Sequence, residues 1–150
     1  MTIEETLGAI KPDGRDNNLD IIYMIEDVGL EIINQNDFYM SVEFAMEHYK
    51  HVAEKDRAIF NDLCFNYGPS GLWTALHIVG ENSIQNLRNL TGITDPETAA
   101  PGTIRRLYGK DKKRIADSEH RATRNVFHCS GNPEEAESEI KKFYEAGYLI

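Results

Sequence analysis

Four stretches with strand character, separated by segments with helical spacing, constrain this chain more than any other feature. Leu7 to Ile10 has strand character and stops at Lys11-Pro12-Asp13-Gly14, a run of turn formers. Ile21, Met24, Ile25 and Val28 form a helical stripe ended by Gly29. Leu30 to Met40 reads as a long strand, and Ser41 as the N-cap of a helix through Lys50. A second helix is predicted over Arg57–Phe65, a loop over Tyr67–Gly71 and a strand over Leu72–Val79. Ser83–Leu90 is a helix with Ile84, Leu87 and Leu90 on one side, closed by Gly92. Asp95–Gly102 is an irregular loop, Thr103–Tyr108 one or two helical turns, and Gly109–Thr123 a polar, basic stretch without a period. Asn125–Phe127 reads as the last strand. Asn132-Pro133-Glu134-Glu135 opens the last helix, which carries Ala136, Ile140 and Phe143 on one stripe. Strand, helix, strand, helices, strand, helix, strand, helix implies an α+β sandwich with a ferredoxin-like βαββαβ core. Its four-stranded antiparallel sheet is covered by helices.

The 150 residues suit a single domain with a real core, and no repeat or low-complexity segment divides them. No apolar run has the length of a membrane span, and Met1-Thr2-Ile3-Glu4-Glu5 lacks the pattern of a signal peptide, so a cytoplasmic setting is expected. Cys64 and Cys129 read as reduced thiols without metal-site spacing. A net charge of −9 counts against a general nucleic-acid binder, yet leaves room for a local positive pocket that takes a small phosphate ligand.

The chemistry concentrates near the C-terminus. In Arg124-Asn125-Val126-Phe127-His128-Cys129-Ser130 a histidine ends an apolar segment, a hydroxyl follows two residues later, and Glu139 waits on the next helix. Glu139 flanks the apolar stripe of that helix, where a carboxylate without a partner would be costly. A chain that turns back there could aim it at His128. Taken alone, the pattern fits a core-edge histidine and a solvated glutamate better than a catalytic pair.

Five separated segments alter that balance. Ala9-Ile10-Lys11-Pro12-Asp13-Gly14, Glu47-His48-Tyr49, Leu87-Arg88-Asn89-Leu90-Thr91-Gly92-Ile93-Thr94, Ala100-Pro101-Gly102-Thr103-Ile104-Arg105 and Arg124–Ser130 resemble, in one order, the signatures of nucleoside diphosphate kinases. The resemblance runs from about Glu5 to Phe143. It implies transfer of the γ-phosphate of a nucleoside triphosphate, typically ATP, to a nucleoside diphosphate by a ping-pong route through phosphorylated His128. By the same resemblance Glu139 and Ser130 support His128, Lys11 and Arg105 grip phosphates, Arg88 and Thr94 contact neighbouring phosphate oxygens, Tyr49 donates near the transferred group and Asn125 meets the sugar. Mg²⁺ would be the cofactor, carried on the nucleotide phosphates, with no metal-binding residue of the chain. A homo-oligomer, a hexamer or a tetramer of dimers, is also implied. His48 reads as structural.

The chain departs from that pattern in places. Ile59 stands where the family usually has a base-stacking aromatic, with Phe60 at a second aromatic position of the nucleotide site. Cys129 replaces the usual glycine, and Arg106-Leu107-Tyr108 replaces the usual Gly-Asp-Phe. Nineteen residues separate Arg105 from Asn125, about twice the family's spacing, which marks 109–123 as an insertion that either caps the nucleotide, alters a subunit contact or is a mobile surface loop. An alternative reading is a catalytically weak nucleotide-binding or regulatory paralogue of the same fold. An RNA-binding βαββαβ module is a further one, disfavoured by the acidic charge and by the lack of an aromatic RNP-type strand.

Overall fold

The computed structural model describes residues 2–150. The chain runs β1 (Ile3–Ile10), a 3₁₀ turn (Pro12–Asn17), α1 (Asn18–Asp27), β2 (Glu31–Tyr39), α2 (Val42–His48), α3 (Lys50–Ala53) and α4 (Arg57–Asp62). It continues through β3 (Leu72–Glu81), α5 (Ser83–Thr91), α6 (Ile104–Tyr108), α7 (Lys113–Ser118), β4 (Phe127–Cys129) and α8 (Pro133–Glu145). The four strands form one antiparallel sheet in the order β2-β3-β1-β4. This is the ferredoxin-like α+β arrangement expected from the strand and helix order.

Alternation along β1 divides the interior. Leu7 and Ala9 point into a cluster with Phe38, Trp73, Phe60 and Phe143, packed under α2, α4 and α8. Ile10 points the other way, with Ile78 and Phe127 against Ile21 and Ile25 of α1 and Leu87 of α5. The central strands are therefore buried on both faces, over Thr6–Ile10 of β1 and Trp73–Ile78 of β3.

Helix starts follow the capping rules. The Ser41 hydroxyl accepts from Phe44 N, Thr103 from Arg106 N and the Asn132 side chain from Glu135 N. The helix expected through Lys50 breaks at Tyr49 and resumes as α3. The helix expected through Phe65 ends at Asp62 and widens into a π turn over Leu63–Tyr67.

Two differences from the expected elements lie next to the site. The last strand begins at Phe127, not Asn125, because Val126 has φ +78° and cannot join the ladder. The stretch 109–123 contains a helix, α7, which buries only Ala116 and so leaves no apolar period to read. β4 lies close on β1, pairing Gly8 with Cys129 and Ala9 with His128. A Cβ on Gly8 would sit 2.7 Å from Phe127 Cζ, so this approach needs a glycine.

Candidate active site

The site is built where β4 leaves the sheet. Phe127 N donates to Asn125 O at 2.8 Å, closing a three-residue turn around Val126. A β-branched residue at positive φ is strained, and the surroundings hold it from both sides: Val126 O accepts from Lys11 N at 2.8 Å, and Val126 N donates to Asp13 Oδ2 at 3.1 Å. The turn presents His128 at the sheet's edge with its side chain 21% exposed.

His128 Nε2 lies 2.9 Å from Glu139 Oε1, and the buried Ser130 hydroxyl donates to the same oxygen at 2.7 Å. Burial alone would raise the Glu139 carboxyl. The charge of His128 and the hydrogen bonds from His128 and Ser130 outweigh burial and hold it at about 2. A carboxylate only accepts, so the hydrogen it shares with His128 sits on Nε2, and in the neutral ring Nδ1 carries the lone pair.

The cations assemble on the other side of the turn. Lys11 is buried, its ammonium donates to Asn125 Oδ1 at 2.8 Å, and it lies 5.2 Å above the Tyr67 ring. Burial, with the nearby charge of Arg105, brings Lys11 down to about 7. Arg105 donates to Phe127 O at 2.7 Å, Gly92 O at 3.1 Å and Asn125 O at 3.3 Å, stitching α6 to the strand that carries the histidine. Asn125 Nδ2 donates to Thr94 O at 3.1 Å. Arg88, Gly92, Thr94, Thr103, Arg105 and Cys129 line a cleft of about 630 Å³. His128 opens into a second cleft of about 410 Å³ with His48, Tyr49, Glu139 and Lys142. The Tyr49 hydroxyl is pushed far up by burial and stays protonated, able to donate. A free imidazole nitrogen backed by a carboxylate, beside a cleft lined with cations and amides, can attack phosphorus and hold the charge that develops.

Of the residues singled out in the sequence, Arg88, Thr94 and Arg105 line one cleft and Tyr49, His128 and Glu139 the other, Ser130 and Asn125 contact their walls, and Lys11 joins them through Asn125. Ile59 and Phe60 stand apart. Ile59 is half-buried on α4 against the core, and Phe60 is 5% exposed with the Arg57 guanidinium 5.2 Å from its ring. Burial pushes the Cys129 thiol up, which fits a packing role.

The structure adds supports that the sequence left without this role: Tyr67 read only as loop, and Asp13, Arg124 and His48 only as parts of the matched segments. Tyr67 OH donates to Asp13 Oδ1 at 2.5 Å, which fixes the carboxylate that holds Val126. Arg124 stacks 4.3 Å from the same Tyr67 ring and pairs with Asp62. His48 lies with its ring 5.3 Å from that of His128. Asp13, two residues after Lys11 in one turn, was the only one with a local signal.

Among the described residues, the one group of three potential metal ligands is His48, His128 and Glu139. Two imidazoles suit a softer cation than Mg²⁺, which prefers oxygen. This donor set is no Mg²⁺ site.

Comparison with known proteins gives one answer. The family model for nucleoside diphosphate kinase matches residues 4–148. The chain is 35% identical to a nucleoside diphosphate kinase of Archaeoglobus fulgidus over 99% of its own length and 91% of the relative's. It is 33% identical to one from Persephonella marina, over 96% and 95%. Among solved structures it superposes on the Borrelia burgdorferi nucleoside-diphosphate kinase, a transition-state mimic with bound vanadate and ADP, with a TM-score of 0.88 at 26% identity, covering 99% of this chain and 90% of that one. The Aquifex aeolicus enzyme gives a TM-score of 0.80 at 26% identity, covering 99% and 100%.

Proposed function

The chain belongs to the nucleoside diphosphate kinase family and is a phosphotransferase of that kind, and we propose that its transfer runs through His128 in two mirrored displacements. The observation that carries this assignment is the contact of 2.9 Å between His128 Nε2 and Glu139 Oε1, which in the neutral ring makes Nδ1 the nitrogen with the lone pair. In the first displacement Nδ1 forms a bond to the γ-phosphorus, the bond from that phosphorus to the β,γ-bridging oxygen breaks, and the nucleoside diphosphate departs with the bond's electrons. The imidazole becomes cationic, and the Glu139 carboxylate lies where it stabilises that charge. The second displacement reverses the first with another nucleoside diphosphate as acceptor.

The remaining residues position and neutralise. Lys11, Arg88 and Arg105 offer charge to phosphate oxygens, Arg as a fixed fork and Lys as a point charge. Thr94 and Tyr49 would donate hydrogen bonds, and Asn125, which holds Lys11, would meet the sugar. Mg²⁺ riding on the nucleotide phosphates would neutralise part of their charge. Ile59 and Phe60 stand outside both clefts; if the base extends to α4, an aliphatic Ile59 would make its contact weaker than aromatic stacking, by about 1–3 kcal/mol.

We also propose that the chain is a homo-oligomer. β2 is an edge of the sheet, Tyr39 on it is 70% exposed, and Leu19 and Tyr23 stand one turn apart on α1 at 82% and 72% exposure. Sedimentation equilibrium tests this, and a monomer at micromolar concentration would refute it. No helix among the described residues is long and apolar enough to cross a membrane, and we place the protein in the cytoplasm on its overall character.

The deciding experiment is intact-mass spectrometry after brief incubation with ATP and Mg²⁺. One acid-labile phosphate per chain is expected, discharged by GDP and absent in His128→Ala. Adduct formation in that variant would overturn the assignment of His128. Nucleotide binding without any adduct in the wild type would favour the weak-paralogue reading.

A further inference from the structure

Three ligating groups converge beside the nucleophile in a way that phosphoryl transfer does not require. One ligand atom each of His48, His128 and Glu139 lies within 4.8 Å of the other two. His48 meets its neighbours through its ring: stacked on Phe44 at 5.7 Å, edge-on to Tyr49 at 4.6 Å and to His128 at 5.3 Å. None of these contacts satisfies a ring nitrogen, so His48 brings an uncommitted lone pair. Glu139 supplies a carboxylate oxygen as the third ligand atom. The cleft of about 410 Å³ in front of the three gives an entry path and room for a water as fourth ligand.

We infer that His48, His128 and Glu139 form a binding site for a divalent cation of the zinc class, and that its occupancy blocks the nucleophile. Two imidazoles, one carboxylate and an open position make a donor set that suits Zn²⁺, with bonds of about 2.0–2.2 Å. Ligand atoms around such an ion sit about 3.3 Å apart. The His128–Glu139 pair, at 2.9 Å, has only to open slightly, and His48 has to turn inward by about an ångström and a half within the spread of 4.8 Å. The cation takes the place of the hydrogen shared by His128 Nε2 and Glu139. That proton transfers through solvent to Nδ1, so the imidazole stays neutral and no net proton is released. The lone pair that attacks phosphorus is then occupied. Conversely, phosphate on Nδ1 keeps the hydrogen on Nε2 and excludes the metal, so zinc and the phosphoryl group compete for one ring through opposite nitrogens. The site itself is independent of the kinase assignment, whereas its inhibitory effect rests on His128 being the nucleophile.

Equilibrium dialysis of the nucleotide-free, chelator-treated protein against ZnCl₂ tests the site without any turnover. One zinc per chain is expected for the wild type, with affinity weakened roughly 10–100-fold in His48→Gln, a loss of the size seen when a metal site is perturbed. Because His48 is half-buried, circular dichroism and the thermal midpoint of the variant are recorded alongside. Co²⁺ on the wild type supplies a readout free of mutation: the intense visible bands of a tetrahedral ion should appear and be displaced by Zn²⁺. In a separate assay zinc should slow phosphoenzyme formation in the wild type, and His48→Gln should be resistant in proportion to its weaker binding. Zinc bound equally well by a folded His48→Gln, or no zinc bound at sub-millimolar concentration, would overturn the site. Zinc bound at this site without slowing phosphorylation would overturn its inhibitory role. Failure of the kinase assignment would show instead as absence of phosphoenzyme before any zinc is added.

Discussion

Glu139→Gln isolates the charge behind the nucleophile from the geometry of that contact. The glutamine keeps an oxygen that can accept from His128 Nε2 and from Ser130 Oγ, now at 2.9 Å and 2.7 Å from one carboxylate oxygen. What disappears is the negative charge facing the imidazole as it becomes cationic. The Glu139 side chain is only 13% exposed, so little solvent screens the pair. A hydrogen bond to a charged group contributes about 1.5–3 kcal/mol. At about 1.4 kcal/mol per decade, the rate of phosphoenzyme formation should fall about 10–100-fold. Glu139→Ala should fall further, because the tautomer is then no longer fixed. The assay is a single-turnover mixing experiment with ATP and Mg²⁺, quenched in alkali to preserve phosphohistidine. The carboxyl lies at about 2, below its ordinary value, so its contribution is complete above the ordinary carboxylate range and is lost only as pH falls towards 2. Above the ordinary carboxylate range, titration of Glu139 itself should therefore add no pH dependence to the wild-type rate. A Gln variant within twofold of wild type, with its fold intact, would refute the charge argument.

Lys11, buried and brought to about 7, binds fewer protons in the folded chain than in the unfolded one between there and its ordinary value near 10.5. Its contribution to stability is greatest above that range and falls as pH drops through it, so Lys11→Met should gain most on wild type near about pH 6 and least near about pH 10 in urea unfolding. Phosphate arriving beside Lys11 should restore its proton, so calorimetry of ADP binding at about pH 8 should register proton uptake as a buffer-dependent enthalpy. Val126→Gly loses about 1.5–3 kcal/mol of apolar burial and relieves about 1–3 kcal/mol of backbone strain, so stability should move little while phosphorylation slows as the turn that aims His128 loosens. Asp111 accepts Arg121 through both oxygens at 2.6 and 3.0 Å and also Arg124 N at 2.8 Å. Asp111→Asn should cost about 1–3 kcal/mol and raise amide exchange across Lys113–Ser118. The Arg121 hydrogen bonds hold Asp111 at about 2, so the wild-type advantage should vanish as pH falls to that value.

The parts of the fold that could be read in the sequence are those specified by neighbours along the chain. Ser41 and Asn132 cap helices because each side chain reaches a backbone N–H three residues on. Ile21 and Ile25 mark α1 because one turn separates them. α7 escaped because its supports are ionic and lie elsewhere: Arg114 and Lys112 reach Glu97, and Lys113 N donates to Asp95 Oδ1, with one internal pair from Lys113 to Asp117. A helix held down by charges from a loop that precedes it by more than a dozen residues has no hydrophobic signature to detect. Its fastening to that loop, and of its flank to Asp111, favours a fixed wall over the mobile surface loop that insertion length alone would indicate.

The site divides along the same line. The local spacing of His128, Ser130 and Glu139 permitted their contact, since only a tight reversal joins a strand end to one face of a helix, but it was the five matched segments in one order that made them read as a catalytic group. What aims His128 was not legible. Val126 at positive φ is a choice no local propensity favours, and it is imposed by Lys11 N and Asp13 from the first strand's exit, with Tyr67 fixing Asp13 from the far side of the sheet. The same exit carries the Lys11 ammonium. The backbone that strains the nucleophile's turn thus also delivers the charge that meets the phosphate, and a shift of one would misplace the other. This coupling explains why Lys11, Pro12 and Asp13 form one segment while their effects fall on residues more than a hundred positions away.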